Sequence, residues 1–209
     1  MKKAIVLSVL LFFGSVSGSY ATIIDFRSGD FSSANGSSVF ILDGLTITAS
    51  PYGAVLYQDS DDGLGVRYSY ENDEVEGQEF LHLSFDASQI LNEILITDLF
   101  NEPYNSGCGS YLEEGQYSFD KNLWFDFKAD PTQTPGTNGE LTLLLASPTV
   151  DDIWFQAPGF KNCSSEDHEF SVARIDVAPV PEPATILLLG SGLVGFAGFR
   201  KRFGASKSR

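Results

Sequence analysis

Eight carboxylates crowd one short stretch of this chain: Asp59, Asp61, Asp62, Glu71, Asp73, Glu74, Glu76 and Glu79, interleaved with Gly63, Gly65 and Gly77. Hard cations such as Ca²⁺ gather about six to eight oxygens, and glycine-bearing loops let backbone carbonyls join carboxylates around them. The chemistry expected here is therefore a structural Ca²⁺ site, with Asp59, Asp61, Asp62, Asp73 and Glu74 as candidate ligands. On a strand, Asn72, Glu74 and Glu76 would share one face and Asp73 and Val75 the other. A site at a sheet edge would then combine Asp73 or Glu74 with Asp61 or Asp62 and backbone oxygens. The stretch is not an EF-hand, because glycine falls at loop position five and Tyr70 at position twelve. Without an ion, the same run is a solvated acidic loop that keeps a sheet edge soluble.

Tyr68 and Tyr70 alternate beside this loop and are the candidate sugar-contacting residues, since aromatic faces pack on the apolar faces of sugar rings. Trp124 and Trp154 lie in apolar runs and are assigned to the core. Signals for catalysis are weak. The chain has no G-x-S-x-G elbow, no H-E-x-x-H and no glycine-rich phosphate loop. Paired carboxylates hydrolyse glycosides in some enzymes, but with 28 acidic residues such pairs arise by chance. No catalytic residue is assigned, and a non-enzyme is expected. The histidines, His82 and His168, are read as structural or surface residues, His168 as solvent-exposed. With Cys108 and Cys163 they do not make a zinc-binding pattern.

The elements that must carry these residues read as strands. The runs "SVFILDGLTITAS", "EFLHLSF", "NEILITDLF", "NLWFDFK", "ELTLLLA", "DDIWFQA" and "EFSVARIDV" alternate or are rich in β-formers. Turn signals separate them at Asp43-Gly44, Asp62-Gly63, Glu76-Gly77, Pro131 to Gly139, Pro148 and Pro158-Gly159. About nine short strands with no intervening helical stripe predict an all-β fold, an antiparallel β-sandwich of jelly-roll-like type.

The two ends have a different character. Lys2 and Lys3 precede an apolar run from Ala4 to Phe13, and Ser19-Tyr20-Ala21 supplies small residues for signal-peptidase cleavage, so residues 1–21 are expected to be a signal peptide. Ala184 to Phe199 is a charge-free run of sixteen residues followed by Arg200, Lys201 and Arg202. As a helix it reaches about 24 Å, and snorkelling basic residues extend that toward the ~30 Å of a bilayer core. The basic triplet would act as the membrane stop, holding residues 204–209 on the cytoplasmic side. Residues 22–178 are left as the sandwich domain. From Thr22 to Val180 there are 27 acidic and six basic residues, a net charge of −21. Such a field repels phosphates and excludes nucleic acid as a partner, leaving cations, neutral glycans or basic surfaces. Cys108 and Cys163, both in the exported part, are expected to form a disulfide, worth about 4 kcal/mol on the chain-entropy model.

Pro181-Glu182-Pro183, the glycine-rich apolar run and the Arg200-Lys201-Arg202 cluster together resemble the PEP-CTERM sorting signal of exported bacterial surface proteins. The resemblance spans about thirty residues. It implies processing by exosortase, a membrane transpeptidase-like enzyme, at the Pro181–Pro183 motif, with residues 179–203 as a temporary anchor. The runs "DDGLGVRYSYENDEVEGQEFLHLSF" and "FSVARIDVAPVPEP" also resemble a pattern found in a subset of such proteins, with Glu76 standing where Asp is usual. The implied route is export, an inner-membrane intermediate, then the cell surface or medium. The expected role is structural or adhesive. The alternatives are a carbohydrate-binding module that recognises extracellular polysaccharide, and a small glycan-active hydrolase.

Overall fold

The computed structural model describes residues 21–68, 74–105, 109–134, 139–158, 168–180 and 190–192. In chain order the elements begin with β1 (Thr22–Asp25), a 3-10 helix (Gly29–Ala34), β2 (Val39–Leu42), β3 (Leu45–Ser50), β4 (Val55–Asp59) and β5 (Gly63–Arg67). There follow β6 (Phe80–Thr97), β7 (Asn101–Asn105), β8 (Gly109–Leu112), β9 (Glu114–Ser118) and β10 (Trp124–Lys128). β11 (Leu141–Leu144), β12 (Thr149–Gln156) and β13 (Ser171–Pro179) complete the set. Every strand pairing is antiparallel. The fold is an all-β, jelly-roll-like antiparallel sandwich.

β6 organises it. Two runs that read as separate strands, "EFLHLSF" and "NEILITDLF", fall largely within one strand of 18 residues. Its first half, Phe80 to Phe85, lies between β3 and β12. Its second half, Gln89 to Thr97, lies between β13 on one side and β11 with the start of β12 on the other. The first half thus belongs to a layer ordered β2-β3-β6-β12-β9-β10, and the second to a layer containing β11, β6, β13, β1, β5 and β4. The strand changes direction at Asp86 to Ser88, which have no ladder partners. That corner is held by the Asp86 N–H donating to Gly44 O (2.8 Å) and by the Ser88 hydroxyl on Asp151 Oδ1 (2.5 Å).

Both layers turn one face inward to a shared core. Ile47, Leu81, Leu83, Ile153 and Phe155 come from the first layer, and Leu64, Val66, Leu91, Ile94, Ile96, Val172 and Ile175 from the second. The β2–β3 hairpin closes through Asp43 (φ 48°) and Gly44 (φ 81°), the left-handed pair that matches the twist of antiparallel strands. β2 turns Phe40 and Leu42 toward the core and leaves Val39 and Ile41 outside.

The β4–β5 hairpin is docked on β13 through a glycine. Gly63 sits at φ 118°, and a Cβ there would fall 2.5 Å from Val172 O and 2.6 Å from Ala173 Cα. No L side chain fits without moving backbone. Gly63→Ala is expected to destabilise the domain by about 2–3 kcal/mol, measured as a lower urea midpoint; an unchanged midpoint would contradict this close packing.

Candidate functional site

Strand register across the first layer lines up a row of side chains on its outer face. Thr48 stands opposite His82, His82 opposite Trp154, Trp154 opposite Ser118, and Ser118 opposite Trp124. Two residues along, on the same face by the period of a strand, runs a second row: Ser50, Phe80, Gln156, Gln116 and Asp126. On the other side lie Thr46, Ser84 and Asp152. The inward parity of Leu81, Leu83, Ile153 and Phe155 therefore obliges Phe80, His82, Trp154 and Gln156 to face outward.

Trp154 is the centre of this face. The His82 ring lies parallel to it at 3.4 Å between centroids and 5° between planes. The Lys121 ammonium stands 3.4 Å from the same ring's centroid. Two groups that close cannot occupy one side of the ring, so histidine covers one face and lysine the other. Asp152 Oδ1 fixes the imidazole at 2.7 Å from Nε2. Burial holds His82 below its ordinary pKa, outweighing the opposite pull of Asp152, with Lys121 adding to the depression. Neutral imidazole is therefore the form at neutral pH.

Lys121 is set in place by a tight turn. Ser118 Oγ accepts from the Lys121 N–H (2.9 Å), and Asp120 Oδ1 accepts from the N–H groups of Asn122 (2.8 Å) and Leu123 (2.9 Å). Those bonds hold the Asp120 carboxyl below its ordinary pKa. The Lys121 backbone adopts φ 62°, a conformation that favours glycine and asparagine. Its carbonyl accepts from Trp124 Nε1 (3.2 Å), and Trp124 lies 6.3 Å from Phe80 between ring centroids. Beside the aromatic group, Gln156 Nε2 donates to Gln116 Oε1 (2.7 Å) and Gln116 Nε2 donates to Asp126 Oδ1 (2.6 Å). The face thus offers half-exposed aromatic rings next to amides and carboxylates already held in one orientation.

The sequence placed its candidates elsewhere. Asp59, Asp61 and Asp62 form the β4–β5 turn, where Asp59 Oδ1 accepts from the Asp61 N–H (2.7 Å) and the Asp62 carbonyl accepts from the Thr97 hydroxyl. Glu74 lies nearby, its carbonyl accepting from the Val66 N–H (3.3 Å). Among the described residues no three His, Cys, Asp or Glu side chains converge to hold a metal. Asp73 and Tyr70 lie outside the described residues, as do Cys108, Cys163, Pro181, Glu182, Pro183, Arg200, Lys201 and Arg202. Of the apolar run 184–199 only 190–192 are described, and they are helical; no described helix is long and apolar enough to cross a membrane. Tyr68 is exposed, its ring beside Gly53 and remote in sequence from the Trp154 face.

Three assignments change. Trp124 and Trp154 are half-exposed on the outer face and are not among the core residues. The signal was present in the strands themselves: Asp152-Trp154-Gln156 and Trp124-Asp126-Lys128 each put tryptophan on the polar side of the alternation. His168 is buried, its Nδ1 accepting from the Glu114 N–H at 3.0 Å. Asp152, on the same outer face as the tryptophans, orients the His82 ring.

The acidic end does contain one buried carboxyl. Glu79 is only 4% exposed, and burial pushes its pKa up from 4.5 to about 8 despite the Glu76 N–H bonded to Oε2 (3.1 Å). The folded protein keeps this proton to about pH 8, whereas the unfolded chain releases it near 4.5. Its contribution to stability is therefore complete below pH 4.5, falls as pH rises toward 8 and is flat above. Glu79→Gln is expected to flatten that slope and to raise the melting temperature relative to wild type at pH 8. Parallel stability–pH curves for the two proteins would contradict it.

The PEP-CTERM protein-sorting motif family matches residues 179–202, so the chain carries that sorting motif and is an exported protein. No curated protein matches the sequence. Among solved structures, CBM32-3 of a family 31 glycoside hydrolase from Clostridium perfringens is 15% identical, with a TM-score of 0.31 over 77% of this chain and 88% of that one. A rhamnosidase from Klebsiella oxytoca with rhamnose bound is 11% identical, with a TM-score of 0.34 over 75% of this chain and 32% of the enzyme. CpGH89CBM32-5 from Clostridium perfringens, in complex with GalNAc-β-1,3-galactose, is 14% identical, with a TM-score of 0.25 over 76% and 94% of the two chains. Overlaps this loose transfer neither a ligand nor an activity.

Proposed function

We propose that this exported, PEP-CTERM-sorted protein is an adhesive component of the cell surface or extracellular matrix that grips polysaccharide through the outer face of its first layer. The observation that carries the reading is the row His82–Trp154–Ser118–Trp124 beside the Gln156–Gln116–Asp126 chain. A sugar ring presents an apolar C–H face and a rim of hydroxyls, and a site for it needs aromatic surface next to fixed donors and acceptors. This face has both, and its hydrogen bonds are already oriented before any ligand arrives. The reading is of a binding protein and not an enzyme.

The sorting reading completes it. Residues 1–21 serve as signal peptide and the run after Pro183 as a transient membrane helix, with an exosortase-type enzyme acting at Pro181–Pro183. β1 pairs with β13, Thr22 opposite Val177, so the two ends of the domain leave it side by side. The acidic β4–β5 turn lies at the opposite end of β13, where Leu64 faces Val172. Seven residues of strand, about 23 Å, separate that turn from the tail. This exceeds the ~8 Å reach of charge in physiological salt. With β13 standing off the membrane, a tethered domain would hold its acidic turn clear of anionic headgroups. A structural Ca²⁺ at that turn is a further proposal, supported by the run of carboxylates in the sequence. A melt that rises in millimolar Ca²⁺ over EDTA supports it, and coincident melts remove it.

Trp124→Ala, which removes a half-exposed ring, is expected to weaken binding to extracellular polysaccharide by about tenfold, or about 1.4 kcal/mol, with the thermal melt little changed. Affinity electrophoresis in gels containing the polysaccharide measures this; undiminished retardation would remove the face from the reading. Deleting Pro181 to Pro183 is expected to leave full-length protein in the membrane fraction, and normal release of that variant would contradict processing at the motif.

A further inference from the structure

An ammonium group already occupies the aromatic site. Lys121 Nζ lies 3.4 Å from the Trp154 centroid and 5.6 Å from that of Phe80. A cation over an indole face is held by the ring quadrupole. The ring is backed by neutral His82, which brings no competing charge to its far side. The lysine is not there by default. It occupies a left-handed backbone position that glycine or asparagine would take with less strain, in a turn fixed by Ser118 and Asp120. It is also one of only six basic residues between Thr22 and Val180, against 27 acidic ones. Asp152, Asp120 and Asp126 border the same face.

We infer that the ligand of this face is a polysaccharide bearing free amines, whose ammonium group displaces Lys121 from the Trp154–Phe80 site. The inference rests on the polysaccharide-binding reading above and adds the chemical class of the ligand. The surrounding charge of −21 concentrates a cationic polymer near the surface and disfavours an anionic one. Lys121 then acts as a built-in competitor. It covers the indole in the free protein and swings into solvent when a sugar amine takes its place, and the neighbouring amides and carboxylates receive the hydroxyls.

The test uses the full chain in detergent micelles and three polymers of matched length: a fully N-acetylated glucosamine polymer, the same polymer partly de-N-acetylated, and a polyuronate. The amine-bearing polymer is expected to bind about tenfold more tightly than the neutral one, and the polyuronate not measurably. Lys121→Ala is expected to strengthen binding of the amine polymer several-fold, and by more than it strengthens binding of the neutral polymer. Trp154→Leu and Phe80→Ala, made separately so that one folded variant suffices, are expected to erase the preference for amine. A preference that survives both belongs to the overall charge and overturns the inference. Equal binding of neutral and amine polymers also overturns it, as does weaker neutral binding in Lys121→Ala, which would make the lysine a hydrogen-bond donor to sugar. Failure of every polymer to bind would instead remove the polysaccharide reading itself.

Discussion

The structure depends on β6 serving two layers at once. Its side chains alternate, so placing Leu81 and Leu83 in the core sends Phe80, His82 and Ser84 outward without further choice. After the corner at Asp86 to Ser88 the same strand supplies Leu91, Ile94 and Ile96 to that core from the other layer. A slip of one residue would exchange the two faces along its whole length. The corner bonds from Asp86 to Gly44 and from Ser88 to Asp151 oppose such a slip from both neighbouring strands.

The outer face of the first layer follows from that parity. β12 repeats the alternation of β6, burying Ile153 and Phe155 and leaving Asp152, Trp154 and Gln156 half-exposed. An outward tryptophan is a large apolar surface in water, and the protein covers it with a stacked imidazole and a lysine ammonium instead of burying it. The imidazole is anchored by Asp152 and packed in the sheet, whereas the lysine reaches over from an exposed turn. The two covers therefore differ in how easily they leave: one is fixed and one is displaceable. That asymmetry is what the proposed ligand would exploit.

Much of this was legible in the sequence, and the gaps have physical causes. The all-β class and the hairpin at Asp43-Gly44 follow from alternation and from a dipeptide that tolerates left-handed backbone. The continuity of β6 is not visible in the sequence, because its alternation lapses between the two runs and only pairing with β3, β12 and β13 shows that the strand goes on. Acidic density drew attention to residues 59–79, but charge density records solvation as readily as ligation. Of the described carboxylates there, Asp59 accepts from the Asp61 N–H and Glu79 sits buried. Trp124 and Trp154 were assigned by hydrophobicity, although the polar residues two positions away already marked their face. His168 looked like part of a polar loop, and its partner, the Glu114 N–H, is 54 residues away in the chain.

Both tryptophans of the chain lie on this one face, so their emission reports on it directly. Titrating the full chain with the polysaccharide of its own matrix while recording intrinsic fluorescence asks whether that face meets the ligand. A saturable change in tryptophan intensity or wavelength, tracking binding measured by co-sedimentation, is the predicted result. Co-sedimentation with unchanged tryptophan emission would contradict it and move the contact to another surface.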